Sequence, residues 1–488
     1  MIEVLSVASE AFPLVKTGGL ADVVGALPAA LAPHGVSMRV LLPGYPAVLD
    51  GLGGGREVHR FADDFFGGEA RLMAGRAGGL DVIAVDAPHL FDRPGNPYLG
   101  PDGRDWPDNW QRFAGLSFAA YQISLGIIDG YVPDILHCHD WQSGLVPAYV
   151  RFNPGSTART VLTVHNIAFQ GIFSWDVFNA LKLDYEAART ASIEFFGNIS
   201  YLKAGLQLAD QVTTVSPTYA HEIRTPEYGM GLEGLLQSRS VTVTGILNGI
   251  DAEEWNPATD EALVQTYSAS TVFNRAANKA AIEERFQLDP GHGPIFCVVS
   301  RLTWQKGLDM LPGLVDALVA QGGRLAVLGT GEGAIEDAFA GAALRHPGKV
   351  GVVIGYNEKL SHLLQGGADA ILIPSRFEPC GLTQLYGLRY GCIPVVSRVG
   401  GLADTVIDAN EAAIEAGVAT GVVFSPATEE ALGEAIRRTI ALYSRRKVWT
   451  KMQRRGMKSD VTWELSAEKY ADLYGSLLGH ERDDDSDD

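Results

Sequence analysis

The sequence predicts an α/β protein of two domains, each built on a parallel β-sheet with helices on both faces. Short apolar, β-rich runs alternate with longer helical patterns in two separate series, which is typical of parallel sheets. The chain has 488 residues, too many for one ordinary core and enough for two domains of roughly 200 residues or more. The motif Gly-Gly-Leu-Ala-Asp occurs at 18–22 and again at 400–404, once in each series.

The individual elements follow from these runs. In the first series the predicted strands span 2–8, 38–42, 82–85, 135–138, 161–164, 212–215 and 243–247. In the second series they span 295–299, 325–328, 350–354, 370–373 and 393–396. The segment 51–108 is rich in Gly, Asp and Pro, which predicts an insertion with long loops.

A polar stretch at 248–270 separates the two series and marks the predicted domain boundary. We assign 1–250 to the first domain and 251–455 to the second. The segment 456–480 is helical in pattern, and its aromatic residues Trp463, Tyr470 and Tyr474 predict that this helix packs back on the first domain. The acidic tail at 481–488 is predicted to be disordered.

Charge and composition argue against several classes of partner. The chain has 58 acidic and 39 basic residues and no stretch rich in Lys or Arg, so we expect no nucleic-acid partner. No apolar run approaches the roughly 18 residues of a membrane span, and the N-terminus enters a strand without a signal-peptide pattern. The four cysteines are scattered, with no Cys-x-x-Cys pair. These features predict a cytoplasmic protein that does not bind membranes.

The first Gly-Gly pair has the form of an anion site. Gly18 and Gly19 precede a predicted helix, so the backbone can approach a ligand closely while the helix N-terminus favours a phosphate. Lys16 has two interpretations, a phosphate contact or a solvent-exposed loop lysine. The chain contains no Walker-type Gly-x-x-x-x-Gly-Lys-Ser/Thr sequence. Because the motif occurs twice, we expect the two domains to hold one phosphorylated molecule.

A second candidate site follows the predicted strand 295–299. The segment 300–307 carries Arg301 and Lys306 and is predicted to open a helix at 308–320. Ligands of α/β sheets bind at the carboxyl ends of parallel strands, and two cations there would neutralise a diphosphate. The alternative is a helix start with incidental charges. It is the weaker interpretation because cations at a helix N-terminus oppose the helix dipole.

The segment 374–384 has the same placement, after the predicted strand 370–373. Glu378 would accept hydrogen bonds from sugar hydroxyls while neighbouring amides hold a phosphate. The alternative is an acidic residue that only stabilises a helix N-terminus. Cys380 is expected to be partly accessible and activated by the helix, so that thiol alkylation inhibits the protein.

Histidines close two strands of the first domain. His137 and His139 share one strand face, but their spacing supplies no third zinc ligand, so a structural role is favoured over a metal site. His165 and Asn166 lead into an aromatic loop and are better candidates for contacting a substrate.

The glycine-rich segment 329–333 is similar to a dinucleotide-binding fingerprint. It lacks the acidic residue about 20 positions later that holds a ribose, which counts against NAD. Tyr356 follows the next predicted strand, where its ring could stack on a nucleobase.

Together these motifs resemble those of the bacterial glycogen synthase and plant starch synthase family, and the resemblance covers nearly the whole chain. It rests on Lys16-Thr17-Gly18-Gly19-Leu20, His139-Asp140-Trp141, His165-Asn166-Ile167-Ala168, Asn248-Gly249-Ile250-Asp251, the segment 300–307, and Glu378-Pro379-Cys380-Gly381-Leu382. Members of this family are retaining glucosyltransferases with two facing Rossmann-like domains, the GT-B type, and an interdomain cleft.

The resemblance implies transfer of glucose from ADP-glucose to the non-reducing end of an α-1,4-glucan, without a cofactor or a metal. It implies that the first domain is the glucan acceptor side and that the second holds the nucleotide sugar. The implied catalytic residues are Arg301 and Lys306 on the diphosphate, with His165, Asp140 and Glu378 around the glucose. The implied substrate-binding residues are Lys16, Gly18, Gly19, Asp22, Tyr98, Asn166, Asn248, Tyr356 (near adenine), Cys380, Gly381, Leu382 and Thr383.

One position departs from the wider superfamily. Many of its members have a second Glu eight residues after the first, where this chain has Tyr386. Cleavage of the anomeric C–O bond builds negative charge on the diphosphate, so fixed cations would stabilise the transition state. We hypothesise that the departing phosphate takes the acceptor's proton on the same face. Two other classes stay open from sequence: a catalytically silent protein that binds glucans or nucleotide sugars, and an NAD oxidoreductase.

Overall fold

The computed structural model describes residues 1–479, which fold into two compact units. The first unit contains Met1–Asn248 and the described residues from Trp463 onward, and the second contains Gly249–Thr462. Each unit has its own sheet of mainly parallel strands, so the predicted α/β class is confirmed. The predicted disordered tail at 481–488 lies outside the described residues.

The strands of the first unit are β1 (Ile2–Val7), β2 (Val36–Pro43), β3 (Arg56–Arg60), β4 (Arg71–Ala77), β5 (Leu80–Asp86), β6 (Ile135–His139), β7 (Arg159–Val164), β8 (Ile172–Ser174), β9 (Glu194–Phe195), β10 (Asn198–Ser200), β11 (Gln211–Thr214) and β12 (Val243–Gly245). Within the described residues, nine of them form one sheet in the order β12-β11-β7-β6-β1-β2-β5-β4-β3. Its pairs are parallel except β5 with β4 and β4 with β3. A small separate sheet has the order β8-β10-β9.

The strands of the second unit are β13 (Ile295–Val299), β14 (Arg324–Gly329), β15 (Val350–Ile354), β16 (Ala370–Ile373), β17 (Ile393–Ser397) and β18 (Val422–Phe424). They pair in parallel in the order β15-β14-β13-β16-β17-β18. This is the doubly wound order, with the chain running outward from the centre in both directions.

The helices are α1 (Gly19–Leu31), α2 (Pro46–Gly51), α3 (Pro88–Phe91), α4 (Asn109–Ser124), α5 (Val146–Phe152), α6 (Glu186–Arg189), α7 (Tyr201–Leu208), α8 (Pro217–Glu222), α9 (Glu233–Ser238), α10 (Arg275–Arg285), α11 (Val315–Ala320), α12 (Gly333–Arg345), α13 (Glu358–Gly367), α14 (Thr383–Tyr390), α15 (Gly400–Thr405), α16 (Glu411–Glu415), α17 (Glu429–Ser444), α18 (Arg446–Gly456) and α19 (Glu464–Leu477). Among the described residues, no helix combines the length and apolar character needed to cross a membrane.

One sequence-based expectation about local structure is wrong. The segment 51–108 contains β3, β4 and β5 together with long irregular stretches at 61–70 and 92–108, in agreement with the predicted insertion with long loops. The predicted helix at 308–320 is reduced to α11, which begins only at Val315. Gly307 has a positive φ of 68°, and Pro312 starts a 3₁₀ turn, so the backbone after β13 cannot continue directly into an α-helix.

The order of the strands places certain loops together. In the first unit the chain leaves β1 toward β2 on one side and returns to β6 on the other. In the second unit the chain leaves β13 toward β14 on one side and returns to β16 on the other. Ligands of open α/β sheets bind beyond the carboxyl ends of strands at such switch points. A ligand site is therefore expected at the loops after β1 and β6 in the first unit, and at the loops after β13 and β16 in the second.

The C-terminal helix α19 packs within the first unit. Its buried face presents Ala467, Tyr470, Ala471 and Tyr474 at helical spacing, next to Trp463 just before the helix. These side chains share an apolar cluster with residues of β1, β2 and α1, among them Val4, Val23, Leu27, Leu31 and Met38. The first unit therefore depends on a segment that follows the whole second unit in sequence.

Candidate functional site

A lysine and a glutamate meet at the switch point of the second unit. Nζ of Lys306, in the loop after β13, lies 2.6 Å from Oε2 of Glu378, in the loop after β16. The hydroxyl of Ser375 donates to the same oxygen at 2.9 Å. Glu378 is only 6% exposed, so this ion pair is weakly screened by water and its charges interact more strongly than those of a surface pair.

Gly307 allows these two loops to approach each other. A Cβ at this position would lie 2.0 Å from the carbonyl oxygen of Pro374, far inside van der Waals contact. Any larger residue would push the loop that carries Lys306 away from the loop that carries Glu378. The backbone N–H of Arg376 also donates to the Gln305 carbonyl at 2.9 Å, which fixes the same approach.

Arg376 and Asp309 form a further link that sequence reasoning missed. The Arg376 guanidinium donates to both carboxylate oxygens of Asp309, at 2.6 and 2.8 Å. These hydrogen bonds hold the pKa of Asp309 below its ordinary value. The bidentate pair ties the loop after β13 to the loop after β16. Neither residue stands out in sequence, because the partners are 67 positions apart.

Arg301 differs from its neighbours in being exposed, and in the described chain its guanidinium has no hydrogen-bonding or ionic partner. The backbone beside it is fixed. The N–H of Leu302 donates to the Thr330 carbonyl at 2.9 Å, and its carbonyl accepts from the N–H of Glu332 at 2.8 Å. Arg301 thus presents a permanent positive charge from a well-held backbone, five positions before Lys306 in the same loop.

The second Gly-Gly pair supports the Glu378 loop and is not an open anion site. The N–H of Gly401 donates to the carbonyls of Glu378 and Pro379, at 3.2 and 3.1 Å. A Cβ at Gly400 would lie 1.9 Å from the Glu378 carbonyl oxygen. The glycines are required for this backbone packing, so the expectation that both motifs receive one phosphorylated ligand is wrong for the second copy.

The expectation of an accessible Cys380 is also wrong. The residue is 5% exposed, because α15 lies directly on it: a Cβ at Gly401 would be 2.1 Å from the Cys380 carbonyl oxygen. The side chain of Gln384 donates to the carbonyls of Cys380 and Gly381, at 3.1 and 2.8 Å. Leu382 is the residue that caps α14, and Thr383 is its first residue.

The glycine-rich loop after β14 satisfies its own backbone. The N–H of Gly331 and the hydroxyl of Thr330 both donate to Oε1 of Glu336, each at 2.7 Å. A carboxylate of the protein therefore occupies the place where a dinucleotide fingerprint would receive pyrophosphate, which argues against the NAD alternative. Tyr356 follows β15 and is 77% exposed, with its ring open to solvent.

In the first unit the loop after β1 is organised by Glu10, a residue that the sequence did not single out. Glu10 is 3% exposed, and its carboxylate accepts from the Thr17 hydroxyl at 2.6 Å. It also accepts from the backbone N–H of Thr17 and from the Tyr98 hydroxyl, which places Tyr98 at this switch point. Its position two residues after the predicted strand 2–8 is the signal that could have drawn attention to it.

The Lys16 side chain lies near the start of α1. Its Nζ is 2.8 Å from Oδ1 of Asp22, in the first turn of that helix. Gly18 is the N-cap, and an added Cβ there would meet nothing within 4 Å, so this backbone is open to a ligand. Gly19 is the first residue of the helix. Asn248 is 8% exposed, and its buried side-chain oxygen has no hydrogen-bond partner within the described part of the chain.

Hydrogen bonds hold the three histidines in place. His137 bonds the Tyr474 hydroxyl through Nδ1 at 2.7 Å and the Thr163 hydroxyl through Nε2 at 2.6 Å. His139 bonds the Ser6 hydroxyl through Nε2 and Nε2 of His165 through Nδ1, both at 3.0 Å. The His139 ring also lies 4.3 Å from the His137 ring between centroids, and its bond to Nε2 orients the His165 ring.

Asp140 is held in an unusual conformation between β6 and the rest of its loop. Its φ of 55° and ψ of −166° lie in a region populated almost only by glycine, which costs on the order of 1–3 kcal/mol. The carboxylate accepts from the backbone N–H groups of His165 and Asn166, at 2.7 and 3.4 Å. Asn166 in turn accepts from the Ala168 N–H through its side-chain oxygen, at 3.0 Å.

Burial shifts the pKa of Asp140 and of the three histidines so that the uncharged form of each group is favoured. It raises the pKa of Asp140 to about 7 and lowers the pKa of His137 and of His165 to about 3. The pKa of His139 is also well below its ordinary value, first because of burial and then because of its histidine neighbours. At neutral pH the site therefore contains uncharged imidazoles and a carboxyl group close to its midpoint.

We expect the free energy of unfolding to fall as the pH drops below about 6.5, the ordinary histidine pKa. The three histidines then take up protons only when the chain unfolds, which costs about 1.4 kcal/mol per histidine per pH unit. Asp140 acts in the opposite sense, because below pH 7 it is protonated in the folded state and ionised in the unfolded state. The net slope is thus about 3 kcal/mol per pH unit near pH 5.

Urea unfolding at pH 5 and pH 7 measures this slope. The Asp140→Asn variant is the control, since it keeps an oxygen acceptor for the His165 N–H and removes the opposing titration. Its slope should be steeper than that of the wild type. Equal slopes for the two proteins would show that Asp140 does not titrate in this range.

Comparisons with known proteins identify the family of this chain. Residues 3–238 match the model of the starch synthase catalytic domain, and residues 281–456 match that of glycosyl transferases group 1. The chain is 56% identical over 479 residues to a glycogen synthase from Rhizobium leguminosarum bv. trifolii, covering 98% of this chain and 99% of the relative. It is 57% identical over 478 residues to glycogen synthase 1 from Rhizobium meliloti, with the same coverage.

Solved structures show the same architecture. The catalytic domain of starch synthase IV from Arabidopsis thaliana, bound to ADP and acarbose, is similar with a TM-score of 0.85 and 31% identity, covering 98% of this chain and 99% of that one. A sucrose-phosphate synthase from Thermosynechococcus elongatus has a TM-score of 0.60 at 19% identity, covering 99% and 100% of the two chains, and shares the fold.

Proposed function

Because this chain belongs to the glycogen and starch synthase family of glycosyltransferases, we propose that it transfers glucose from ADP-glucose to the non-reducing end of an α-1,4-glucan. The chain is a retaining hexosyltransferase of glycogen synthesis, and its substrates are a nucleotide sugar and a glucan. Relatives named glycogen synthase match it over almost their entire length. The starch synthase relative that binds ADP and acarbose supports the adenine base of the donor and the α-1,4-linked acceptor.

The observation that carries the proposal is the junction of the loops after β13 and β16. Lys306 and Glu378 are in contact there, and Arg301 projects from the same loop with no side-chain partner among residues 1–479. A diphosphate needs two or more positive charges, and a sugar needs a carboxylate that accepts from its hydroxyls. We assign Arg301 and Lys306 to the diphosphate and Glu378 to the glucose.

Charge development on the leaving group explains why cations are placed here. As the bond between anomeric carbon and phosphate oxygen breaks, negative charge on the diphosphate increases. Fixed cations then stabilise the transition state more than the bound donor, and this difference lowers the barrier.

Retention without a protein nucleophile follows from the residues available in the second unit. The position eight residues after Glu378 is Tyr386, whose ring stacks on Trp255 at 3.6 Å between centroids and belongs to an apolar cluster. No second carboxylate stands there to form a glycosyl-enzyme intermediate. We propose that the departing phosphate oxygen takes the proton from the acceptor hydroxyl on the same face of the sugar.

In the first unit we assign sugar recognition to His165, Asp140 and Asn166. The neutral His165 imidazole, oriented by His139, offers one ring nitrogen to a ligand without placing a full positive charge beside the developing sugar cation. Lys16 and Asp22 pair beside the open backbone of Gly18, and Tyr98 bonds the Glu10 carboxylate of the same loop, which suits an anionic or hydroxylated ligand. We propose that this unit receives the glucan acceptor.

We also propose that the enzyme uses no cofactor and acts in the cytoplasm. The reaction needs no cofactor, because the energy of transfer comes from cleaving the bond between the anomeric carbon of the glucose and the diphosphate of the donor. We propose a cytoplasmic location, which agrees with four cysteines that are all buried and form no disulfide within the described residues.

The donor is tested by comparing kcat/KM for ADP-glucose and UDP-glucose with a glucan primer. We expect ADP-glucose to be preferred, and we expect Tyr356→Ala to raise the KM for ADP-glucose, since the exposed ring would stack on adenine. Phe273→Ala is the matched control, because Phe273 is also exposed in the second unit, at 69%, and has no assigned role. Equal efficiency with both donors would contradict the ADP assignment.

A further inference from the structure

Three potential metal ligands converge on the second unit, apart from the loops described above. Glu254, Glu358 and His362 each direct one ligand atom to a place where these atoms lie within 4.8 Å of one another. Glu358 begins α13, and His362 lies one turn later on the same helix, with its Nε2 4.0 Å from Oε1 of Glu358. Glu254 comes from the loop that precedes Trp255.

The His362 ring is held rigidly from the other side. Its Nδ1 lies 2.8 Å from Oδ2 of Asp260, and the hydroxyl of Tyr390 donates to the same oxygen at 2.5 Å. The ring is stacked on Trp255 with 3.8 Å between centroids and an interplanar angle of 17°. Because a carboxylate only accepts, Nδ1 carries the hydrogen of this bond, so Nε2 is the ring nitrogen that could bind a metal ion.

Nε2 of His362 faces negative charge. His362 is 7% exposed, and no hydrogen bond joins its Nε2 to another residue of the described chain. The Glu358 carboxylate lies 4.0 Å from Nε2, with Glu254 completing the group. The two carboxylates would attract a cation bound at Nε2.

We propose that His362, Glu358 and Glu254 bind one divalent transition-metal ion of the zinc class. A neutral imidazole with two carboxylates is a ligand set that such ions accept, with water completing the coordination. Asp260 would serve as the carboxylate that orients a metal-bound histidine by accepting its other ring N–H. The Glu358 side chain is 41% exposed, so it can adjust to the roughly 2 Å distances of metal ligands.

The bound ion would have a structural effect on the second unit. It would join the loop that contains Glu254 to the first turn of α13. Tyr356 lies two residues before Glu358, so the ion would also hold the end of the segment that carries this exposed ring. None of the three ligands belongs to the residues assigned to the diphosphate or the glucose, and the inference therefore stands independently of the proposed function.

The test uses the full-length chain after treatment with a chelator. Equilibrium dialysis against Zn²⁺ with elemental analysis gives the stoichiometry, and Co²⁺ absorption reports the coordination. The Glu254→Gln/Glu358→Gln double variant removes the proposed ligands. The matched control is Glu284→Gln/Glu415→Gln, which removes two exposed carboxylates of the same unit.

We expect the wild type and the control to bind one Zn²⁺ per chain and to gain melting temperature on binding, while the ligand variant does neither. Binding that is equally strong in the ligand variant would overturn the proposal, since the chain has 11 histidines that could bind zinc elsewhere. Nitrogen-15 NMR of the wild type gives a result that needs no variant. Zn²⁺ should shift Nε2 of His362, and an unchanged His362 signal at one equivalent would also overturn the proposal.

Discussion

Replacing Lys306 by Ala should lower kcat by a factor of 10² to 10³ at saturating donor and glucan, with a much smaller change in the KM for the donor. Loss of one charged group that stabilises a transition state commonly has this size, about 3–4 kcal/mol. The KM changes less because the diphosphate carries less charge in the ground state than at the transition state. Steady-state kinetics with ADP-glucose measures both parameters.

Lys306 is also a structural partner, so its loss has a second consequence. The substitution leaves the buried Glu378 carboxylate with Ser375 as its remaining side-chain partner, and we expect a loss of stability of about 1–3 kcal/mol. Kinetics must therefore be measured well below the melting temperature of the variant, with the folded fraction determined by circular dichroism.

Lys279 provides a matched control for this effect. Its Nζ lies 2.7 Å from Oδ2 of Asp369, and the side chains of this pair are 17% and 12% exposed, close to the 19% and 8% of Lys306 and Glu378. Lys279→Ala should lose stability to a similar extent while kcat stays near the wild-type value.

Lys16→Ala, in the first unit, should reduce kcat less than Lys306→Ala. A Lys306→Ala enzyme within a few-fold of wild type would refute the role in leaving-group stabilisation.

Ending the chain at Thr462 should give insoluble protein, because the first unit then lacks α19. Tyr470 and Tyr474 are fully buried, and Trp463 is 7% exposed. Removing three such aromatic side chains costs on the order of 10 kcal/mol, which is comparable to the whole stability of a domain. The substitution Tyr474→Phe is milder, since it deletes only the hydrogen bond to His137, worth about 1 kcal/mol.

The measurement is the soluble fraction after expression, followed by thermal unfolding. A chain that ends at Gly479 is the control, because it keeps α19 and removes only the segment that follows. It should be as soluble as the full-length protein. A soluble chain ending at Thr462, with the melting temperature of the wild type, would show that α19 is dispensable for the first unit.

The sequence predicted the second sheet more accurately than the loops that join its strands. The predicted strands 295–299, 350–354 and 370–373 have the observed bounds, because continuous apolar runs mark buried parallel strands. The helix expected at 308–320 forms only from Val315 onward. The positive φ of Gly307 and the 3₁₀ turn at Pro312 keep the preceding residues out of an α-helix.

For the site, sequence reasoning located the loops but missed the contacts. Lys306 and Glu378 were each expected at the carboxyl ends of strands, yet their pairing across 72 positions needs the strand order to be known. Glu10 and the bond from His139 to His165 were missed for the same reason. Cys380 was misjudged because its burial comes from α15, whose glycines were interpreted as phosphate ligands.

The stereochemistry of the product shows whether the enzyme transfers glucose from ADP-glucose to a glucan with retention. The full-length chain is incubated with ADP-glucose labelled with carbon-13 at the anomeric carbon and with a maltooligosaccharide primer, and the new linkage is followed by NMR. Retaining transfer predicts stoichiometric release of ADP and a labelled α-1,4 linkage at the non-reducing end. A β-linked product, or release of free labelled glucose without chain extension, would contradict it.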